Sequence, residues 1–214
     1  MTQFERTYNF MKRPWVMAIY IILIILSYNF LDKPIAYFFH AIDFRNNMRI
    51  LNWLSALGKA AVYVCLFFLA AIYFRYIKKN AINDARAWYL LSCVVVTNII
   101  CFILKVIFGR ARPDLLFKND PFGFYWFKLK DVYWSFPSGH SMTVIGLVAG
   151  LGVVFPNHFF SLLGVALLVV LSRICLYRHY LSDVMAGFYL SILTVGLLTH
   201  YLRTHHYLDK VLKK

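Results

Sequence analysis

The sequence predicts an all-α fold, an integral membrane bundle of six transmembrane helices forming one domain over residues 1–214. Three observations carry that expectation. Apolar residues make up 61% of the chain against 15% charged, far from the balance of a soluble domain. They fall into six runs of about 17–22 residues, the length that crosses a hydrocarbon core of about 30 Å. The charged residues gather at the ends of those runs, so each run reads as a crossing and each polar cluster as a boundary.

The first run, Trp15 to Leu31, follows a short basic N-terminus. Lys12 and Arg13 resemble the start of a secretory signal, but the run is long and no small-x-small site follows, which reads as a retained anchor. The stretch from Asp32 to Gly58 mixes charges with Tyr37, Phe38, Phe39 and Trp53 and reads as an interfacial amphipathic helix or a surface loop. Ala60 to Tyr76 is the second run, closed by Lys78 and Lys79, and Ala87 to Phe108 is the third. An aromatic loop, Gly109 to Pro137, leads to the fourth run, Ser138 to Phe155. After a turn at Pro156-Asn157-His158 come Phe159 to Tyr177 and, from about Asp183 to Leu202, the sixth run with a basic tail.

The formal charge of +14 invites a nucleic-acid reading. The cations lie at run ends instead of in one soluble patch, so membrane anchoring and an anionic ligand explain them better, and no nucleic-acid partner is expected. Cys65, Cys93, Cys101 and Cys175 all lie inside apolar runs and read as small apolar filler. No His, Cys or carboxylate grouping has metal-cage spacing, so neither metal nor cofactor is expected.

Six crossings place both termini on one side. The end of helix three, the start of helix four and the turn between helices five and six then share the opposite surface. Three polar clusters stand at those places: Lys105 to Pro113, Pro137 to His140, and Ser172 to Asp183. Lysines and arginines number 11 on the terminus side and 12 on the other. With Lys105, Arg110, Arg112, Arg173 and Arg178 set aside as belonging to or adjoining a site, the balance becomes 11 against 7, which puts the termini in the cytoplasm and the clusters outside.

Each cluster has a bland and a chemical reading. Lys105 and Arg112, seven residues apart, share one face of a helix about 10 Å apart along its axis. They are either snorkelling cations or a pair suited to a multiply charged anion. Ser138 is a natural N-cap, and Gly139 lets backbone come close to a ligand. That helix start is either merely capped or an anion site in which His140 passes a proton to a leaving oxygen. His179 and Asp183 are four apart. On a helix the carboxylate would accept the Nδ1–H and leave Nε2 as a nucleophile, with Arg173 as a third cation. Otherwise Asp183 is a first-turn acid and His179 an interfacial residue. Arg110 and Arg178 flank the motif residues and are placed to contact a larger head group. The loop aromatics read as a headgroup belt or a lid.

The patterns K-x6-RP, PSGH and SR-x5-H-x3-D, here Lys105 to Pro113, Pro137 to His140 and Ser172 to Asp183, resemble the three-part signature of the type 2 phosphatidic acid phosphatase superfamily. The apolar runs are similar to those of its membrane lipid phosphatase branch. The resemblance implies that His179 attacks phosphorus to form a phosphohistidine, with Asp183 fixing its tautomer and His140 serving as acid and then base. It implies that Lys105, Arg112, Ser138, Gly139 and Arg173 hold the phosphate, without a metal. The expected substrate is a membrane lipid phosphate: phosphatidic acid, phosphatidylglycerophosphate, undecaprenyl diphosphate or lipid A 1-phosphate. A lipid phosphotransferase, or a non-catalytic lipid-binding protein or transporter, are the alternatives. A bacterial inner membrane with the site facing the periplasm is the expected location. The oligomeric state is left open.

Overall fold

The computed structural model describes residues 1–119, 121–209 and 211. The described residues are helical, with one antiparallel bridge joining Arg110 to Phe124. A short amphipathic helix α1, Gln3–Met11, comes first. Thr2 and Glu5 close a reciprocal capping box at its start, which satisfies two otherwise orphaned amides.

The first apolar run does not stop at Leu31. Helix α2, Pro14–Leu26, passes through a π-turn at Ser27–Leu31 into α3, Asp32–Ile42, giving 29 continuous residues. Pro34 has no amide to donate, and the wider turn, in which Asp32 N–H reaches Ser27 O, carries the helix past it. Asp32 does not end the helix because its carboxylate is buried and paired rather than solvated. The expected interfacial stretch is therefore split: its first eleven residues extend the helix, and only the short helices α4, Phe44–Asn47, and α5, Arg49–Ala56, remain as a connection.

Helix α6, Ala60–Ile72, ends in a second π-turn at Tyr73–Ile77. Helix α7, Ala81–Phe108, is N-capped by the Asn80 side chain and closed by Gly109 in the left-handed region, φ 54°. A short α8, Pro113–Asn119, lies within the aromatic loop. Then follow α9, Gly139–Val154, α10, Phe159–Cys175, and α11, Leu181–Thr204. Four helical stretches are long and apolar enough to cross a membrane: 14–42, 60–77, 81–108 and 181–204. Helices α9 and α10 are apolar but shorter.

Helix α9 is the hub, buried almost all round by α7, α10, α11 and α1. Small residues allow the approach: a Cβ on Gly146 would lie 2.9 Å from Thr97, and one on Gly150 2.9 Å from Cys93 Sγ. Outward-facing Ile22, Ile25, Leu66, Leu69, Ile99, Phe102 and Leu168 stay exposed and form the lipid-facing surface. Helix α1 closes one end of this bundle. Phe4 packs on Phe159, and Arg203 pairs with Glu5 at 2.5 Å. The three polar clusters lie at the other end. Of the basic tail, Lys210 and residues 212–214 fall outside the described residues.

Candidate active site

Backbone hydrogen bonds tie the clusters to one another. Ser138 N–H donates to Asp183 O at 3.1 Å, and Ser135 N–H to Arg110 O at 3.1 Å. Lys105 comes beside the second cluster: its Nζ donates to Trp134 O at 2.5 Å and lies 4.0 Å from where a Gly139 Cβ would be. Lys105, Arg112, Ser138, Gly139, His140, Arg173, His179 and Asp183 thus gather at one end of the bundle.

His179 is nearly fully buried, 4% exposed, with Nδ1 2.8 Å from Ser135 O. Because a carbonyl only accepts, Nδ1 carries the proton and Nε2 keeps its lone pair. Asp183 was expected in that accepting role, but its nearest oxygen is 3.7 Å away. The four-residue spacing assumed that both residues sit on a helix. Helix α11 starts only at Leu181, so His179 precedes it, while Asp183 turns back to accept Tyr180 N–H at 2.9 Å. Asp183 also accepts the Ser135 hydroxyl at 2.6 Å, and so holds the residue whose carbonyl holds His179.

Behind this relay lies a buried ionic network that the sequence reading missed. Arg110 donates to Asp32 at 2.7 Å, to Ser182 Oγ at 2.7 Å and to Asp183. The rings of Tyr180 and Tyr28, at 4.5 and 4.9 Å, and of Phe124 and Phe122, at 5.3 and 5.5 Å, surround its guanidinium. Arg110 has no exposed surface, so the expectation that it contacts a head group is corrected. Phe122 and Phe124 line this arginine, whereas Trp126, Phe127 and Leu129 are exposed. The aromatic loop is therefore neither wholly belt nor wholly lid. Arg178 is half-buried and adds positive charge beside Arg112 and Arg173.

Arg110 has both Nη groups committed to Ser182, Asp183 and Asp32, whereas Arg173 has only Nη1 bonded, to Ser55. The Nε atoms of Arg110, Arg112 and Arg173 are all buried without a hydrogen-bond partner. Buried donors are almost always satisfied, so such groups call for an acceptor. Ser138 caps α9 by accepting Ser141 N–H at 3.4 Å, and the first-turn amides of such a helix lack intrahelical partners. His140, on that first turn, lies in the field of Arg173, Lys105, Arg112 and Lys59.

Burial first, then the charges of Lys105, Arg173 and Arg112 and the neighbouring His140, push the His179 pKa well below its usual value near 6.5. The imidazole is therefore neutral at pH 7, as a nucleophile requires. Among the described residues no group of three or more His, Cys, Asp or Glu side chains is placed to hold a metal ion. The arrangement can bind a multiply charged oxyanion and present it to an unprotonated imidazole nitrogen.

Residues that sequence reasoning passed over are Asp32, Ser135 and Ser182. Of these only Asp32 left a signal, a lone acid after which apolar residues resume. Comparison with known sequences bears on the same region. The profile described as the PAP2 superfamily matches residues 86–207, from within α7 through α11. A protein of Rhizobium etli named lipid A 1-phosphatase is 33% identical over 145 residues, 63% of this chain and 62% of the relative. A protein of the same name from Rhizobium johnstonii is 36% identical over 99 residues, 46% of this chain and 41% of the relative. The chain thus spans less than two thirds of either relative's length. No solved structure matches it.

Proposed function

The chain belongs to the PAP2 superfamily, and on that premise we propose that it is an integral membrane phosphatase that removes phosphate from a lipid. The reading rests above all on one observation: the Nδ1 of His179 is tied to Ser135 O, which frees Nε2 beside cations whose buried N–H groups lack acceptors.

In the proposed first step Nε2 of His179 attacks phosphorus and a phosphorus–nitrogen bond forms. The bond from phosphorus to the lipid oxygen breaks, and His140, which takes up a proton once the bound phosphate dianion offsets the charge of the surrounding cations, gives that proton to the leaving oxygen. In the second step His140, now neutral, takes a proton from water. The water oxygen attacks the phosphohistidine, inorganic phosphate departs, and both imidazoles are restored. Lys105, Arg112, Arg173, the Ser138 hydroxyl and the Gly139 amide hold the equatorial oxygens, where charge spreads in the transition state. Asp183 acts through Ser135 and Arg110 to keep His179 in one tautomer.

Six crossings, with α9 and α10 completing the four longer spans, make one domain of the whole chain. The expected location is an inner membrane, and the charge balance of the chain's ends supports a site that faces outward from it. Among membrane lipid phosphates, lipid A 1-phosphate is the first to test, because both relatives carry that name. The deciding experiment measures inorganic phosphate released by the purified chain in detergent from phosphatidic acid, phosphatidylglycerophosphate, undecaprenyl diphosphate and lipid A 1-phosphate. Release from at least one, abolished by His179→Ala and inhibited by orthovanadate, is expected. No release from any, or full release by His179→Ala, overturns the reading.

A further inference from the structure

A stretch without any motif reaches both the phosphate-holding and the proton-donating parts of the proposed site. It runs from Asp43 through α4 and α5 to Lys59. Arg45 fastens it to the turn that precedes His179, donating to Leu176 O at 3.1 and 3.3 Å and to Tyr177 O at 3.3 Å, and pairing with Asp114 at 2.7 Å. Asp43 accepts the Tyr177 hydroxyl at 2.7 Å. At the far end the Ser55 hydroxyl accepts a hydrogen bond from Arg173 Nη1, and both residues are buried.

Gly58 lies directly against His140. A Cβ there would stand 2.8 Å from His140 Cγ and 2.9 Å from its Cβ, closer than real side chains approach. The turn is held in place by Gly58 N–H donating to Ser55 O at 2.9 Å and by the Tyr63 hydroxyl donating to Leu57 O at 2.6 Å.

We propose that Ser55 and Gly58 are positioning residues for the reaction, Ser55 aiming the Arg173 guanidinium at the phosphate and Gly58 setting where the His140 ring stands. This rests on the phosphatase reading above. Arg173 can swing about its long side chain, and one anchored Nη leaves Nε and the other Nη directed at a ligand. His140 must lie within hydrogen-bond reach of the leaving oxygen, and a displacement of about 1 Å is enough to lose that proton transfer. No side chain larger than hydrogen fits at position 58 without moving the ring.

Leaving-group chemistry separates the two roles. The alkoxide expelled from dioctanoyl phosphatidate needs a proton, whereas the phenolate expelled from para-nitrophenyl phosphate leaves without one. Gly58→Ala, in the purified full chain, is expected to lower kcat on the lipid ester roughly a hundredfold while changing para-nitrophenyl phosphate by only about threefold. Ser55→Ala is expected to lower kcat/KM about tenfold on both esters and to weaken orthovanadate inhibition to match, with Ser55→Thr restoring both. Thermal unfolding is followed in parallel. Equal losses on the two esters in Gly58→Ala, or unchanged orthovanadate inhibition in Ser55→Ala, overturn the proposal. If Gly58→Ala does not fold, the Ser55 pair decides it. A wild type that releases phosphate from neither these esters nor any of the four lipids above sinks the phosphatase reading itself; an active wild type with unaffected variants sinks only this inference.

Discussion

Arg110 places its guanidinium among two carboxylates, a serine hydroxyl and four aromatic rings, and no part of it reaches the surface. A lysine in its place keeps the charge but cannot fork to Asp32, Ser182 and Asp183 together. Arg110→Lys is therefore expected to destabilise the fold by about 3–5 kcal/mol, the usual cost of breaking a buried pair. Thermal unfolding in detergent reads it. A head-group role would instead raise KM and leave the unfolding midpoint unchanged. The same residue scale governs pH dependence. A lowered folded-state pKa means that His179 takes up a proton only well below 6.5. An imidazole with the ordinary value would lose about three-quarters of its neutral form by pH 6. The rate of phosphoenzyme formation from para-nitrophenyl phosphate, whose leaving group needs no proton from His140, is thus expected to stay level from pH 8 to pH 6 once corrected for the substrate's own ionisation. A fall centred on 6.5 would show an unperturbed nucleophile.

Helices α7 and α9 carry Lys105 and His140, and their separation is set by what stands between them. At Gly150 and Gly146 nothing stands between them but hydrogen. Gly150→Val would press two methyl groups toward Cys93 and Leu90, and overpacking of this kind costs about 1–3 kcal/mol. Because the strain falls about three turns from His140, orthovanadate affinity should drop along with stability. A loss of stability alone would mean that α9 yields locally. At this scale much was legible in the chain. Four of the six apolar runs begin and end within a few residues of helices, the third starts six residues inside α7, Ser138 caps α9, and Gly109 ends α7. The first run was misjudged because hydropathy counts Asp32 as a solvated charge, while its partner Arg110 lies 78 residues away. Spacing failed at His179 and Asp183 for a related reason. A helical offset holds only inside a helix, and the turn with Tyr177 at φ 41° precedes α11. Ser135 contributes a backbone carbonyl, which no sequence pattern marks.

The whole molecule has two unlike ends. One holds the cations and imidazoles; the other is closed by α1, whose Glu5 and Tyr8 pack against Arg203 and Gly196 of α11. Cations that serve the proposed anion site or, like Arg110, are paired with buried carboxylates are not available to orient the chain, so only the remaining lysines and arginines count toward which end stays in the cytoplasm. Those favour the α1 end by 11 to 7. A site on the outward side also suits the proposed action on lipid head groups, away from soluble cytoplasmic phosphate esters. The arrangement is testable on intact spheroplasts with a membrane-impermeant maleimide, in a background where the exposed Cys65 is replaced by serine. Lys128→Cys lies in the exposed part of the aromatic loop and Arg6→Cys on the exposed face of α1. The first is expected to label in intact cells and the second only after lysis. The reverse pattern would put His140 and His179 on the cytoplasmic side, and labelling of both in intact cells would mean that the two ends do not face opposite sides of a sealed membrane.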